Sequence, residues 1–343
     1  MKLKKYLKGD HMKSFYKEKD GIIYEVDYRT ELLSIILILS DDYKKIVGNK
    51  MVPLNNKFIY DDIYNKFSKY KNHKTIKLFN EIIKKHPYFN YDAPVTMILQ
   101  LDENLKCNKL NDYIYKQILN EDDLIYDFID TLNSFKNEIK FDNYYNNNKN
   151  RYLSYIDEII KKHDNFLFYI SKFINIDNKE FYINAIPFNS YSNYSSFIDN
   201  KVYSNLGITQ FSKEDNLYKD WELNENDMML VSLHEFCHSF INPLTHKYIE
   251  IDKYKHLKKE LLTQFGYDDI ETIINEHIVR AICLVYEYLY LNKDLFNIHF
   301  LYEKNNFKYI EKIFNYILKN IDNNILNYYP NILNLFIEKK VII

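Results

Sequence analysis

Residues 232–240 read "SLHEFCHSF". Two histidines, His234 and His238, stand four apart, and Glu235 directly follows the first. On an α-helix, positions four apart share a face, with Cβ atoms about 5–6 Å apart, so both imidazoles can turn toward one point. That spacing suits two nitrogen ligands of one tetrahedral zinc ion. Glu235 is rotated by one residue and cannot share the ligand face squarely, but it can reach a water there. Two ligands and a general base make up the HEXXH arrangement. From Met228 to Ile241 the stretch is otherwise apolar nearly all round, so a buried helix is expected. A buried carboxylate is costly unless paired or needed. Desolvation also lifts its pKa toward neutrality, which suits a proton shuttle. The plainer reading is a pair of core histidines bonded to backbone.

A catalytic zinc site takes three protein ligands and keeps one position open. The residues just after His238 offer no third histidine, so the ligand must come from elsewhere. The segment "ETIINEHIVRAICLVYEY" (271–288) is the best source, with Glu276 the leading candidate and His277 or another residue behind it. Glu276 can equally form an ion pair with Arg280 one turn on, and the two readings are compatible. Only three of 46 basic residues are Arg: Arg29, Arg151 and Arg280. Arg280 within an apolar run therefore suggests a task for a planar, multi-donor head: bracing Glu276, binding a substrate carboxylate, or a structural ion pair. Arg29, beside Glu31, is weighed the same way. Cys237 reads as core filler. His246, Tyr248, Tyr286 and Tyr288 are open candidates for an oxyanion donor, and composition does not choose among 34 tyrosines.

The elements that must carry these residues follow from periodicity. Asn226 or Asp227 is placed to cap the histidine helix and Pro243 to end it. Two strands, 179–188 and 200–211, precede it, and "GIIYEVDY" (21–28) reads as another. Helical patterns cover 29–46, 74–86, 121–139, 151–174, 246–264, 268–291, 307–319 and 322–337. The polar run "FDNYYNNNKN" (141–150) reads as a loop and a subdomain boundary. The expected class is α+β, mostly α, with a mainly helical region over 1–145 and the histidine-bearing region over 146–343.

Composition sets outer bounds. The chain has 343 residues, 46% hydrophobic, with a formal charge of −2, enough for a large core. Acids and bases are interspersed, and nothing resembles the basic face that nucleic acid requires. The lysines of "MKLKKYLKGDHMK" read as a solvated arm. No apolar run follows that start as a signal peptide would need, and the longest, "LLSIILIL" (32–39), is too short to span a bilayer. Three cysteines without a CxxC fit a reducing, cytoplasmic setting. Five glycines in no phosphate-loop pattern argue against nucleotide binding.

"LHEFCHSFINPL" followed by "NEHIVRA" resembles an uncharacterised bacterial family of gluzincin-type (HEXXH…E) zinc peptidases, described only as a domain of unknown function. "VDYRTELLSIILIL" and "HPYFNYDAPVTMILQL" share the likeness, which spans roughly residues 20–300. The resemblance implies a zincin-like catalytic half, with a small sheet packed on the HEXXH helix and a helical subdomain after it. It also implies Glu276 as third ligand, one zinc ion and a peptide or protein substrate. Two departures stand out. The gap from His238 to Glu276 is long, and Arg280 occupies the position where thermolysin-like enzymes carry an Asp that braces a zinc histidine.

The expected chemistry is peptide hydrolysis. Zinc brings the pKa of a water to about 7. Glu235 takes the proton and passes it to the leaving amine. The strand "NKVYSNLGI" is a candidate to pair with an extended peptide. Two rivals remain at this level: a zinc-binding pseudo-enzyme or peptide-binding module, and a helical interaction protein with an incidental HEXXH.

Overall fold

The computed structural model describes residues 13–47, 57–86, 89–90, 92–118, 123–186, 193–207, 225–255 and 269–337. The chain forms two compact units, one of residues 1–163 and 180–228, the other of 164–179 and 229–343. The expected class holds: mostly helical, with one small mixed sheet. Among the described residues, no helix is long and apolar enough to cross a membrane. The lysine-rich arm falls almost wholly outside the described residues.

The first unit carries the sheet, in the order β1 (Phe15–Lys19), β2 (Ile22–Val26), β3 (Glu180–Ile186), β5 (Lys201–Gly207), β4 (Tyr194–Ile198). β1 (Phe15–Lys19) and β2 (Ile22–Val26) form an antiparallel hairpin closed by Asp20 and Gly21. Both turn residues have positive φ, 54° and 80°, as the tight type I′ turn demands, and glycine takes the second at no steric cost. β2 is buried along its whole length rather than alternating, the signature of a strand covered on both faces. β3 (Glu180–Ile186) lies parallel between β2 and β5. β4 (Tyr194–Ile198) closes the sheet antiparallel to β5 (Lys201–Gly207). β5 is therefore hydrogen-bonded on both sides. That overturns the expectation that "NKVYSNLGI" offers an edge to a peptide, because the edges are β1 and β4.

Asp27 anchors the first helix, Tyr28–Leu39, to this sheet. Its carboxylate accepts from Arg29 N (2.7 Å) and Thr30 N (3.2 Å), and its own N–H donates to Asn184 Oδ1 on β3. Arg29 returns to the same carboxylate through Nε and Nη2 and caps the Leu99 and Leu101 carbonyls with Nη1. Its ion-pair partner is Asp27, not Glu31. The helix expected over 29–46 breaks at Ser40, whose Oγ accepts from Tyr43 N to start a second helix, Asp41–Val47. The run 141–150 is helical, not a loop: Phe141–Asn147, then Lys149–Lys161. Its polar text hides Tyr145, buried, whose hydroxyl donates to Val26 O and accepts from Phe15 N.

The second unit is helical. The histidine helix runs Glu225–Tyr248, through Pro243 rather than ending there. Its first turn includes the expected caps, Asn226 and Asp227, whose side chains lie outside the described residues. The helix expected over 246–264 does not start at 246: residues 246–248 end the histidine helix, 249–250 break it, a short helix, Ile251–Tyr254, follows, and 256–264 lie outside the described residues. The glutamate helix, Ile270–Tyr290, is capped by Asp269, which accepts from Thr272 N. Next comes Lys293–Asn306, an unforeseen helix. Its sequence shows no clean apolar stripe, because Ile298, Leu301 and Tyr302 face outward. Ile310–Lys319 matches expectation, while 322–337 resolves into a 3-10 turn (Ile325–Asn327) and a short helix (Tyr329–Asn334).

Candidate metal centre

The histidine helix buries Leu233, Phe236, Cys237 and Ile241 completely. Phe236 packs on Phe166 with ring centroids 5.8 Å apart. That face fixes the rotation of the helix and turns His234 and His238 to a less covered side, where their side chains keep 17% and 12% exposure. The register between the histidine and glutamate helices is held by Thr245. Its hydroxyl bonds to Asn275 and lies 2.5 Å from the Tyr329 hydroxyl, all three residues being buried. Asn275 immediately precedes Glu276, so this clamp sets the height at which the carboxylate meets the imidazoles.

The three polar groups converge. The two Nε2 atoms are 3.0 Å apart, Glu276 Oε1 lies 3.3 Å from His238 Nε2, and Glu276 Oε2 lies 3.6 Å from His234 Nε2. Tetrahedral zinc with bonds near 2.0–2.1 Å places neighbouring ligand atoms about 3.3–3.4 Å apart. The separation of the two nitrogens, and of each from its nearer carboxylate oxygen, bracket that value, and one ligand atom from each residue lies within 4.8 Å of the other two, so this donor set can hold a single cation. Among the described residues, His234, His238 and Glu276 are the one group of histidine, cysteine and carboxylate ligands close enough to share an ion. Donor chemistry agrees: two nitrogens and one oxygen leave a tetrahedral position open.

Electrostatics act on the two histidines in opposite directions. Burial, with His238 alongside, pushes the His234 pKa down to about 3, so it stands as a neutral lone-pair donor. Burial opposes charge on His238 too, but Glu276 and Glu235 outweigh it and raise its pKa. Burial also opposes the Glu276 carboxylate, yet His238, His234 and Arg280 hold its pKa at about 2. Asn242 Oδ1 sits 3.1 Å from His238 Nδ1. With the amide oxygen accepting, Nδ1 keeps the proton and Nε2 keeps the lone pair a metal needs.

Glu235 is 7% exposed on the same turn, and its charge bears on both His238 and Cys237. Arg280 donates Nε–H to Glu276 Oε2 at 3.1 Å, so the expected brace and the expected ion pair are one contact. His277 is not among the converging groups. Its Nδ1 donates to Ile273 O at 2.7 Å, and its ring lies among Phe307, Tyr309 and Phe336. Cys237 is core filler, fully buried, with burial pushing its thiol pKa far up. Tyr286, also buried, turns its hydroxyl to the Met229 sulfur, and His246 is largely exposed beside Glu271. Sequence reasoning missed Asn242, Thr245 and Glu303. The i,i+4 spacing of Asn242 from His238 was an available signal, whereas Glu303 comes from a helix that no pattern announced.

No curated protein and no solved structure gives a match to this chain. A family match does exist, and it covers residues 22–339, which takes in both units and the whole His234–His238–Glu276 cluster. The chain belongs to the family described as "Domain of unknown function (DUF4932)".

Proposed function

We propose that the protein is a zinc-dependent peptidase of gluzincin type. The observation that supports this most is the convergence of His234, His238 and Glu276 with buried Glu235 on the same helical turn. His234, His238 and Glu276 would hold the zinc ion, which would supply Lewis-acid chemistry to a carbonyl and a water. Glu235 removes the proton from the attacking water and delivers it to the departing amine. Glu276 stays ionised and lends its charge to the ion. Asn242 holds His238 in the donor tautomer. The substrate class, a peptide or protein, comes from the gluzincin resemblance. The order along the chain also fits a zincin-like half: strands, then the histidine helix, then the glutamate helix. Cysteine usage in the sequence, three residues without a CxxC, supports a reducing, cytoplasmic setting as part of this proposal.

The test is metal analysis together with cleavage of a mixed peptide library. Wild type should hold about one zinc per chain and cleave. Glu235→Gln should hold zinc and lose at least about 100-fold in rate, the lower end of general-base contributions. Equal cleavage by both proteins ends the hydrolytic reading. Zinc without cleavage in either leaves a peptide-binding module in its place.

A further inference from the structure

Arg280 is held from three sides. Its Nε donates to Glu276 Oε2 at 3.1 Å and its Nη1 to Glu303 Oε1 at 2.9 Å. Its guanidinium lies over the Phe307 ring, 4.6 Å from the centroid. Glu276 and Arg280 share one face of the glutamate helix, while Glu303 arrives from the next helix, Lys293–Asn306. Arg280 thus engages Glu276 Oε2, which also lies 3.6 Å from His234 Nε2, while Oε1 faces His238 at 3.3 Å and bonds to neither Arg280 nor Glu303.

Charge explains why a second carboxylate is needed. An arginine next to a dication site repels the ion, and only a compensating negative charge makes that neighbour acceptable. Glu303 is that charge. Its Oε2 is buried with no hydrogen-bond partner, a costly state for a carboxylate oxygen. An apolar pair of equal volume is often as stable as a buried ion pair, so stability alone does not call for this one. The residue choice points the same way. In a chain with three arginines among 46 basic residues, this position uses the one side chain that can bond two carboxylates in a fixed plane while stacking on an aromatic ring.

We propose that Arg280 and Glu303 act as a paired brace that positions Glu276 as a one-oxygen metal ligand and offsets the arginine's charge at the ion; this rests on the metal reading above. Both are positioning residues. The brace makes helix Lys293–Asn306 part of the metal centre.

The experiment uses the full chain. Zinc affinity is measured by chelator competition, the visible spectrum is recorded with cobalt(II) in place of zinc, and apo-protein stability is followed in urea. The variants are Arg280→Lys, Glu303→Gln and the double Arg280→Gln/Glu303→Gln. Glu311→Gln serves as control, because it removes only a half-exposed pair with Lys304. Arg280→Lys and Glu303→Gln should each bind zinc about 10–100-fold more weakly and shift the cobalt bands, as outer-layer partners of metal ligands do. The double variant should bind more tightly than Glu303→Gln, since it leaves no unmatched arginine. The control should match wild type. If wild type binds zinc and the brace variants equal it in affinity and cobalt spectrum, whatever their urea stability, the pair is structural and the inference fails alone. If wild type takes up neither metal, the metal reading fails and takes the inference with it. Should Arg280→Lys not fold, Glu303→Gln and the double variant decide by the same criteria.

Discussion

His277 follows Glu276 directly, yet it lives in a different environment. It is fully buried, its Nδ1–H is used by Ile273 O, and its Nε2 has no partner inside a cage of Phe307, Tyr309 and Phe336. Burial pushes its pKa down to about 4, so the ring is neutral under ordinary conditions. An unmet buried nitrogen is a standing cost that an apolar ring of similar shape removes. His277→Phe should therefore leave stability within about 1 kcal/mol of wild type, the loss of one backbone hydrogen bond being offset, and leave zinc content intact. Glu276→Ala should abolish stoichiometric zinc. Metal analysis of the two variants checks this, and loss of zinc in His277→Phe would return it to the list of ligands. Sequence could pick out the histidine pair because both imidazoles and Glu235 lie within one helical turn, where spacing is geometry. It could only rank Glu276 over His277, because adjacent positions on a helix differ by rotation alone and rotation is decided by packing.

The helices show the same limit at larger size. Pro243 reads as a stop because it lacks an N–H and crowds the preceding turn, yet the histidine helix continues to Tyr248. What carries it past the proline is tertiary: Thr245, one turn beyond Ile241, is locked to Asn275 and Tyr329. The Asn/Tyr run at 141–150 misleads in the opposite direction, since a polar composition conceals the buried Tyr144 and Tyr145. Apolar periodicity was legible wherever one face did the packing, as in Lys74–Lys85, and unreadable where a helix such as Lys293–Asn306 shows apolar groups on both sides. The Thr245 clamp makes a prediction of its own. Thr245→Val keeps the volume but strands the Asn275 amide oxygen in a buried site and leaves the Tyr329 hydroxyl only its long bond to Ile241 O, 3.5 Å. Urea unfolding should show a loss of about 2–3 kcal/mol. Zinc affinity should fall as well, because the clamp sets the register of Glu276 against the imidazoles. A stability loss with unchanged zinc affinity would mean that the register is held by the apolar contacts instead.

Across the whole chain, the least local feature is the sheet. β2 pairs in parallel with β3 across more than a hundred intervening residues, Ile22 opposite Phe181, and no short pattern announces such a partner. One cost of building around that sheet is the burial of acids, and Glu31 shows it most directly. It is 2% exposed on the first helix, Oε1 accepts from the Tyr152 hydroxyl at 2.7 Å, and Oε2 has no partner. Burial raises its pKa from 4.5 to about 7, against the pull of Tyr152 and Arg151. Below pH 4.5 the folded and unfolded chains both hold this proton. Between 4.5 and 7 the folded chain keeps a proton that the unfolded chain releases, so stability declines as pH rises through that window. The contribution lost by pH 8 is on the order of 3 kcal/mol. Glu31→Gln carries no such proton. Urea unfolding at pH 5 and pH 8 should show wild type losing more stability between the two than the variant, by roughly that amount. The comparison isolates Glu31, because every other titrating group is common to both proteins. Parallel pH profiles would mean that Glu31 is already ionised in the folded chain and that Tyr152 and Arg151 outweigh its burial.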